Sequence, residues 1–233
     1  MQRRRRPELG LSLVELLVVV AIIALLVALL LPVLHQARKR SYTSTCISNL
    51  RQLVAAATMY RNDYGEYPLY MEEMTGYVKD SRLWICPAEP TPEYPDKVAG
   101  NRRPPHVPKR VVTSYYYFTD LVAKLQRRVA LDLYQRNQSL EVYTVRRLRE
   151  ADPHHGLFAC ILHGEREAIR SRRHYITHLD YRRGLTLRAL QDGSVQRIQT
   201  EMRSLRDGSG AVRDLWPMFT DTPCPPEFCH EEY

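Results

Sequence analysis

A basic leader followed at once by a long apolar run is the feature that most constrains this chain. Arg3 to Arg6 precede Gly10, and an uncharged segment of about nineteen residues runs from Leu16 to Leu34. At about 1.5 Å per helical residue, that segment spans close to the ~30 Å of a bilayer core. We therefore predict one membrane-spanning helix over about residues 14–34.

The position of the small residue Gly10 separates this N-terminus from an ordinary secretory signal. A secretory signal is cleaved after its apolar region, so the product loses the hydrophobic helix. Here Gly10 lies before the apolar run, and cleavage after it would leave the helix on the product. Basic residues stand on both flanks, with Arg38 to Arg40 on the far side, so charge alone orients the helix weakly.

Glu15 is a carboxylate close to the start of the apolar run. Such a group costs a few kcal/mol in hydrocarbon, on the order of 2.5–3.5 by insertion scales, unless it is partnered or near the headgroups. One interpretation is an interfacial acid that stays solvated. The other is functional: cleavage after Gly10 creates an α-amino group at Leu11, which can pair with Glu15 of a neighbouring subunit.

The segment GLSLVELLVVVAIIALLVALLLP resembles the class III prepilin signal of type IV pilins and type II secretion pseudopilins. The resemblance implies a cytoplasmic leader, residues 1–10, that a prepilin peptidase removes between Gly10 and Leu11. It also implies N-methylation of Leu11, a role for Glu15 in assembly, and an extracytoplasmic position for everything after about His35. Leu11 and Ser12 stand where the family usually has Phe and often has Thr.

Pro32 lies inside the apolar run and lacks the backbone donor that would bond the carbonyl of Ala28. A kink is expected there, and the resemblance implies a place where the helix bends when subunits pack. The equal alternative is that membrane helices simply tolerate proline better than soluble helices do.

The helical period continues beyond the membrane segment without a stop signal. An apolar stripe recurs at spacings of three and four residues, which indicates an amphipathic helix. The stripe consists of Cys46, Leu50, Leu53, Ala57 and Tyr60. Because Asp63-Tyr64-Gly65 ends the pattern, we predict a single helix over residues 11–63.

Residues 64–223 are enough for one globular head, with 224–233 as a tail. Prolines concentrate in residues 86–110, which predicts an extended surface loop. The remaining patterns predict a short helix within 67–84, a strand at 111–118, a helix over 121–133, strands at 158–162 and 174–179, and either helix or strand at 141–149.

The C-terminal part of the head carries a hairpin signal. Strands at 185–191 and 194–200 flank Asp192-Gly193, a pair that we expect to supply the positive φ angles of a tight turn. A long helix followed by antiparallel strands predicts an α+β fold, with the sheet packed on the distal half of the helix.

The resemblance to bacterial pseudopilin-like proteins extends into the head as a series of short matches. They are Cys46-x-x-Asn49-Leu50-x-Gln52, Cys86-Pro87, Ser114-Tyr115 and Asp192-Gly193. Some relatives have a histidine ten residues before the hairpin Asp, but Arg182 stands there in this chain. No histidine is therefore assigned a role by analogy.

Five cysteines in an extracytoplasmic chain suggest disulfides with one thiol left over. Our hypothesis pairs Cys46 with Cys86 and Cys224 with Cys229, although sequence alone does not fix the connectivity. The first bond would close a loop of about forty residues and stabilise the head by roughly 3–4 kcal/mol in the chain-entropy model. Cys160, in an apolar strand, is expected to be a buried free thiol.

No pattern in the chain points to catalysis. Its eight histidines show no metalloprotease spacing, and neither a nucleophile elbow nor a phosphate-binding glycine loop occurs. A metal cluster of Cys224, Cys229 and His230 is less plausible than a disulfide, and the C-terminal aspartates match no calcium motif. Those aspartates are Asp207, Asp214 and Asp221. We predict no enzyme, no metal and no cofactor.

The formal net charge of +8, about +3 of it in the leader, leaves a basic mature chain. Arginine doublets punctuate the head and could form a nucleic-acid-binding face, as in a minor pilin for DNA uptake, or could simply be solvated. The doublets are Arg127-Arg128, Arg146-Arg147, Arg172-Arg173 and Arg182-Arg183. Another alternative is a single-pass anchored binding protein that never polymerises.

The sequence favours a pilin-like structural subunit of a type II secretion pseudopilus or related type IV pilus. The resemblance implies three partners, namely the prepilin peptidase, other pilin or pseudopilin subunits, and an inner-membrane assembly platform. It implies a single-pass inner-membrane protein with a cytoplasmic N-terminus and a periplasmic or other extracytoplasmic head.

Overall fold

The computed structural model describes residues 13–88, 113–119, 127–163, 165–168, 179–201, 204–207, 210–213 and 215–228. The chain divides into two compact units, Met1–Ser41 and Tyr42–Tyr233. The second unit is called the head below. A long N-terminal helix and a C-terminal antiparallel sheet give the pilin-like α+β class that the sequence predicts.

Helix α1 (Leu13–Tyr64) confirms the predicted long helix. Its residues in the first unit are exposed, including the large apolar side chains from Leu13 to Leu34. Within the described residues, α1 is the one helix whose length and apolar composition would let it cross a membrane. The predicted span lies in this unit.

The part of α1 inside the head buries the predicted stripe. Cys46, Leu50, Leu53 and Ala57 are fully buried, and Tyr60 is half-buried. The helix ends where Gly65 takes a φ of +85° and its N–H donates to the carbonyl of Arg61 at 2.8 Å. A left-handed glycine after the last turn is a common helix stop, because it carries no Cβ to clash.

The segment after α1 forms two 3-10 turns instead of the predicted short helix, at Met71–Gly76 and Ser81–Trp84. Asp80 caps the second turn, since its Oδ1 accepts from the Arg82 N–H at 2.9 Å. Most of the predicted proline-rich loop, residues 89–110, lies outside the described residues.

Strand β1 is only Tyr116–Tyr117, much shorter than the predicted strand at 111–118. The residues before it are hydrogen-bonded to the segment after the second 3-10 turn. The Ser114 N–H and the Thr113 hydroxyl both donate to the carbonyl of Trp84, at 3.0 Å each. Those bonds fix the chain next to Trp84, so it joins the sheet only afterwards. Residues 111–112 lie outside the described part.

Two helices follow, α2 (Arg127–Gln135) and α3 (Leu140–Ala151). The helix predicted at 121–133 is thus seen from residue 127 onward, and residues 120–126 lie outside the described part. The ambiguous stretch at 141–149 is helical. Ser139 caps it, with its Oγ accepting from the Val142 N–H at 3.4 Å.

The main sheet is antiparallel and is organised around one long strand, β4. Its strands are β1, β2 (Gly156–Cys160), β3 (Glu165–Ala168), β4 (Leu179–Leu190) and β5 (Val195–Glu201). By register, β2 and β3 pair in succession along one side of β4, while β5 pairs along the other side. The strand predicted at 158–162 is β2, and most of the one predicted at 174–179 lies outside the described residues.

The predicted hairpin is present as β4 and β5, with Ala189 opposite Val195. Its turn differs in detail, because only Gly193 has a positive φ (+83°) and Asp192 does not. The Gly193 N–H donates to the Leu190 carbonyl, and the Leu190 N–H donates to the Ser194 carbonyl. This is a three-residue loop that closes with a left-handed glycine.

Three short elements complete the head: β6 (Ser204–Asp207) paired with β7 (Gly210–Arg213), and helix α4 (Trp216–Phe219). One apolar cluster joins α1 to the sheet and to α4. It contains Leu50, Leu53, Phe158, Leu187 and Trp216 among others. The predicted packing of sheet on helix is therefore confirmed within the head.

Arg188 on β4 ties α4 to the sheet although it is a buried cation. Its Nε donates to the Met218 carbonyl at 3.0 Å, and its Nη2 donates to the Pro217 carbonyl at 2.7 Å and to Asp221 Oδ1 at 2.9 Å. Gly156 on β2 makes room for it, because a Cβ there would lie 2.7 Å from Arg188 Cγ.

Lowering the pH should destabilise the head through His155. The ring is buried beside Phe118, and burial lowers the pKa of His155, partly offset by the bond between Nδ1 and the Gly156 carbonyl. Nearby Asp152 raises that pKa and Arg149 lowers it. Among the described residues, nothing hydrogen-bonds its Nε2.

Because the unfolded chain has the higher histidine pKa, about 6.5, it binds the proton more tightly. The contribution of neutral, buried His155 to the free energy of unfolding is complete above the unfolded-state pKa. It is lost as the pH falls towards the lower pKa of the folded state. Urea unfolding from about pH 8 to about pH 5 measures it. His155→Gln should flatten the decline, whereas His154→Gln, at an exposed neighbouring position, should not. Equal slopes in the wild type and His155→Gln would refute the assignment.

Candidate functional site

The N-terminal segment presents apolar side chains and one carboxylate. Glu15 lies in the first turn of α1 and is exposed, between exposed Val14 and Leu16. Pro32 lies within α1, and the helix continues past it. Gly10 and Leu11, the predicted cleavage and methylation positions, lie outside the described residues.

A cluster of three cysteines and one histidine lies in the head. Cys46, Cys86 and Cys160 are free thiols, all fully buried, and His163 is half-buried beside them. The sulfur atoms and a ring nitrogen of His163 all lie within 4.8 Å of one another. These four residues are called the thiol cluster below.

The thiol cluster corrects the prediction for the first disulfide. Cys46 and Cys86 do come together, but the structure holds both as free thiols. Cys160 is a free buried thiol as predicted, yet it is the third member of the cluster and not an isolated core residue. The physical reason is that β2 brings Cys160 to the place where α1 and the Cys86 segment meet, so Cys46 and Cys86 share that place with a third sulfur and are not an exclusive pair.

Three separate segments of the head supply the cluster. Cys46 comes from α1, Cys86 follows the second 3-10 turn, and Cys160 and His163 come from the end of β2 and the turn after it. The Cys86 backbone is fixed, because its N–H donates to the Ser114 Oγ at 2.6 Å.

The short matches noted in the sequence converge on this cluster. Asn49 is buried one turn after Cys46, and its amide donates to the Tyr115 hydroxyl and to the Ile85 carbonyl, at 3.3 Å each. The Cys-x-x-Asn, Cys-Pro and Ser-Tyr motifs are therefore parts of one hydrogen-bonded arrangement, which explains their co-occurrence in the chain.

The electrostatics of the cluster concentrate negative charge on one sulfur. Burial raises the pKa of Cys46 and of Cys160. Hydrogen bonds from Cys160 and Cys46, with a further contribution from His163, lower the pKa of Cys86. The Cys86 sulfur lies 3.4 Å from His163 Nε2. Of the three thiols, Cys86 is therefore the one whose deprotonated form the other members of the cluster favour.

Sequence reasoning missed Cys160 and His163 as partners of the other two cysteines. The available signal was Cys160-x-x-His163, two soft ligands three residues apart at the end of a strand, a spacing compatible with metal ligands. It was weak because the other two ligands lie far away along the chain.

The remaining predicted site residues lie apart from the cluster. Cys224 is in a disulfide, and its expected partner Cys229 lies outside the described residues, as does His230. Of the three C-terminal aspartates, Asp221 accepts from Arg188. That bond lowers the pKa of Asp221 and accounts for this carboxylate without a metal.

One arginine doublet has described side chains, and carboxylates contact both of its members. Arg147 pairs with Glu150 and Glu227 at 2.8 Å each, and Arg146 lies 3.8 Å from Glu150. The side chains of the other doublets lie outside the described part of the chain. Pairing of this kind reduces the positive potential that a phosphate backbone would meet.

The apolar segment matches a family model. Residues 5–31 match the prokaryotic N-terminal methylation motif, so this chain carries the motif around Glu15. The match covers the predicted cleavage site and most of the apolar run.

A curated relative agrees with that motif. The chain is 43% identical over 62 residues to the type IV wide pilus major component PilA4 of Thermus thermophilus. The aligned part is 27% of this chain, and the chain spans about half the length of that relative, 47%. No solved structure matches the chain.

Proposed function

We propose that this chain is a structural subunit of a type II secretion pseudopilus or a related type IV pilus. A prepilin peptidase removes residues 1–10, Leu11 becomes the methylated N-terminus, and α1 supplies the polymer core. The single observation that carries the proposal is the methylation motif at residues 5–31, on a helix whose apolar side chains are exposed. The similarity to a pilus component supports it.

The exposed apolar surface of α1 needs an apolar environment both before and after the subunit assembles. Before assembly, the side chains from Leu13 to Leu34 lie in the bilayer, since they number enough to cross it. After assembly, the same side chains pack against α1 of other subunits. The head, which has a hydrophobic core of its own, remains outside the inner membrane and presents its surface to neighbours or cargo.

Two other functions have less support. A DNA-uptake subunit needs a basic face, whereas the described doublet Arg146-Arg147 is paired with carboxylates. A non-polymerising membrane anchor would leave the methylation motif without a purpose.

Processing at Gly10 is the direct test. We expect the protein isolated from native membranes to begin at Leu11 and to carry one added methyl group, by intact mass and N-terminal sequencing. Gly10→Val should retain Met1, because a β-branched side chain obstructs a peptidase that accepts a small residue. Gly10→Ala is the matched control and should still be cleaved. Wild-type protein that keeps Met1 in cells with an active processing enzyme would contradict the proposal.

A further inference from the structure

We propose that Cys46, Cys86, Cys160 and His163 form a binding site for one Zn²⁺ ion that holds the head together. Each residue offers one ligand atom, and these atoms lie within 4.8 Å of one another. The site belongs wholly to the head, and its role is independent of how the N-terminus is processed.

The distances fit a tetrahedral ion. With Zn–S near 2.3 Å and Zn–N near 2.0–2.1 Å, two ligands of a tetrahedron lie roughly 3.8 Å apart for two sulfurs and roughly 3.5 Å apart for sulfur and nitrogen. Cys86 Sγ and His163 Nε2 are 3.4 Å apart. The upper limit of 4.8 Å exceeds the ideal by about 1 Å, a contraction within reach of small side-chain rotations.

The donor set selects the kind of ion. Three thiols and one imidazole are soft or borderline ligands, which suit zinc and not calcium or magnesium, since those ions require oxygen. Four protein ligands also leave no open position, as is typical of structural zinc sites and not of catalytic ones. The burial of all three sulfurs agrees with a closed site.

The groups around the ligands are arranged as outer-shell partners. Thr43 Oγ1 lies 3.2 Å from His163 Nδ1, so it can accept a hydrogen bond from the Nδ1–H when Nε2 binds a metal. The Ser114 hydroxyl fixes the backbone of Cys86. Such contacts orient ligands before the ion binds.

The placement explains what the ion would accomplish. It would join α1, the Cys86 segment and the end of β2, which are about forty and about seventy residues apart along the chain. Closing such loops restricts the unfolded chain, and the free energy of metal binding becomes folding free energy. The same thiols could instead be oxidised. A disulfide would join two of the sulfurs and leave the third sulfur and the imidazole without a bond.

The experiment uses the full-length chain, purified in detergent with its thiols kept reduced. Metal analysis should find one zinc per chain. Replacing zinc with Co²⁺ should give the intense visible bands of a tetrahedral cobalt site and a thiolate charge-transfer band. A chelator should lower the Tm of the wild-type head.

One variant tests a ligand and another tests an outer-shell partner, and each has a matched control. His163→Gln should weaken Co²⁺ binding by more than the roughly 10- to 100-fold expected for loss of an outer-shell partner. It should also make the Tm insensitive to the chelator. His154→Gln, at an exposed position in the same unit, should leave both unchanged. Thr43→Val should weaken Co²⁺ binding by about 10- to 100-fold, and Thr43→Ser should restore it.

Three results would overturn the proposal. The first is a reduced, folded wild-type chain that binds neither Zn²⁺ nor Co²⁺. The second is a disulfide between any two of the cluster cysteines in protein freshly taken from native membranes, shown by peptide mapping without reduction. The third is copper in place of zinc. None of these results bears on cleavage after Gly10, so this proposal and the proposed function can fail separately.

Discussion

Glu15→Val is expected to abolish filament assembly while leaving membrane insertion and processing intact. In an assembled filament, the carboxylate at this position would lie among apolar helices, where it must be paired. We expect its partner to be the α-amino group of Leu11 on a neighbouring subunit, which cleavage after Gly10 creates. Valine removes the charge but keeps the helix apolar, so insertion into the bilayer should be no less favourable.

The expected magnitude is large because one pair is lost at every subunit contact. Removing one partner of a buried pair costs about 3–5 kcal/mol, since the other charge remains buried alone. At about 1.4 kcal/mol per tenfold, that is a loss of two orders of magnitude or more in each association step. Sheared filaments and the membrane fraction, compared by immunoblot, measure the outcome.

Two control variants separate charge from bulk. Glu15→Asp keeps the carboxylate and should retain partial assembly, whereas Leu16→Val changes an apolar neighbour in the same turn and should assemble normally. Filaments of normal yield from Glu15→Val would show that the carboxylate stays solvated and has no part in assembly. If Glu15→Val failed to insert into the membrane, the carboxylate would be needed for insertion, which contradicts a role in assembly alone.

Arg188→Leu is expected to destabilise the head by about 3 kcal/mol, because two backbone carbonyls of α4 would lose their donors inside the core. Those carbonyls belong to Pro217 and Met218. Urea unfolding of the full-length chain in detergent, followed by tryptophan fluorescence, measures the change. Trp216, in the same helix, is buried and reports on it directly.

A graded set of variants distinguishes the bonds that Arg188 makes. Its side chain is 3% exposed and that of Asp221 is 84% exposed, so the ion pair itself contributes little. Asp221→Asn should therefore cost no more than about 1 kcal/mol. Arg188→Lys should fall between the two, because an ammonium cannot reproduce the planar fork. An equal cost for Arg188→Leu and Asp221→Asn would show that the backbone bonds contribute little.

The sequence predicts those parts of this fold whose signal is local. The stripe through Leu50 and Leu53 repeats with the helical period, and α1 follows it closely. Gly193 identifies the hairpin, since a left-handed residue is needed to close its loop. Both features depend on residues within a few positions of one another, and both are observed.

The failures occur where distant segments decide the outcome. Tyr115 looks like part of a strand, yet the residues before it bond to the chain near Trp84, so β1 begins only at Tyr116. The prediction for the cysteines missed the cluster for the same reason. The sequence suggested a pair of Cys46 and Cys86, but only the fold brings Cys160 and His163 next to them.

The bonds near Ser114 have a consequence for protein engineering. The N–H of Ser114 donates to the Trp84 carbonyl and its hydroxyl accepts from the Cys86 N–H, so the chain segments on either side of the predicted proline-rich loop are held next to each other. The cost of closing a loop grows slowly, by about 0.6 kcal/mol for each doubling of its length. A longer or altered sequence between these anchors should therefore cost the core little, and an epitope or a reporter peptide should be accepted there.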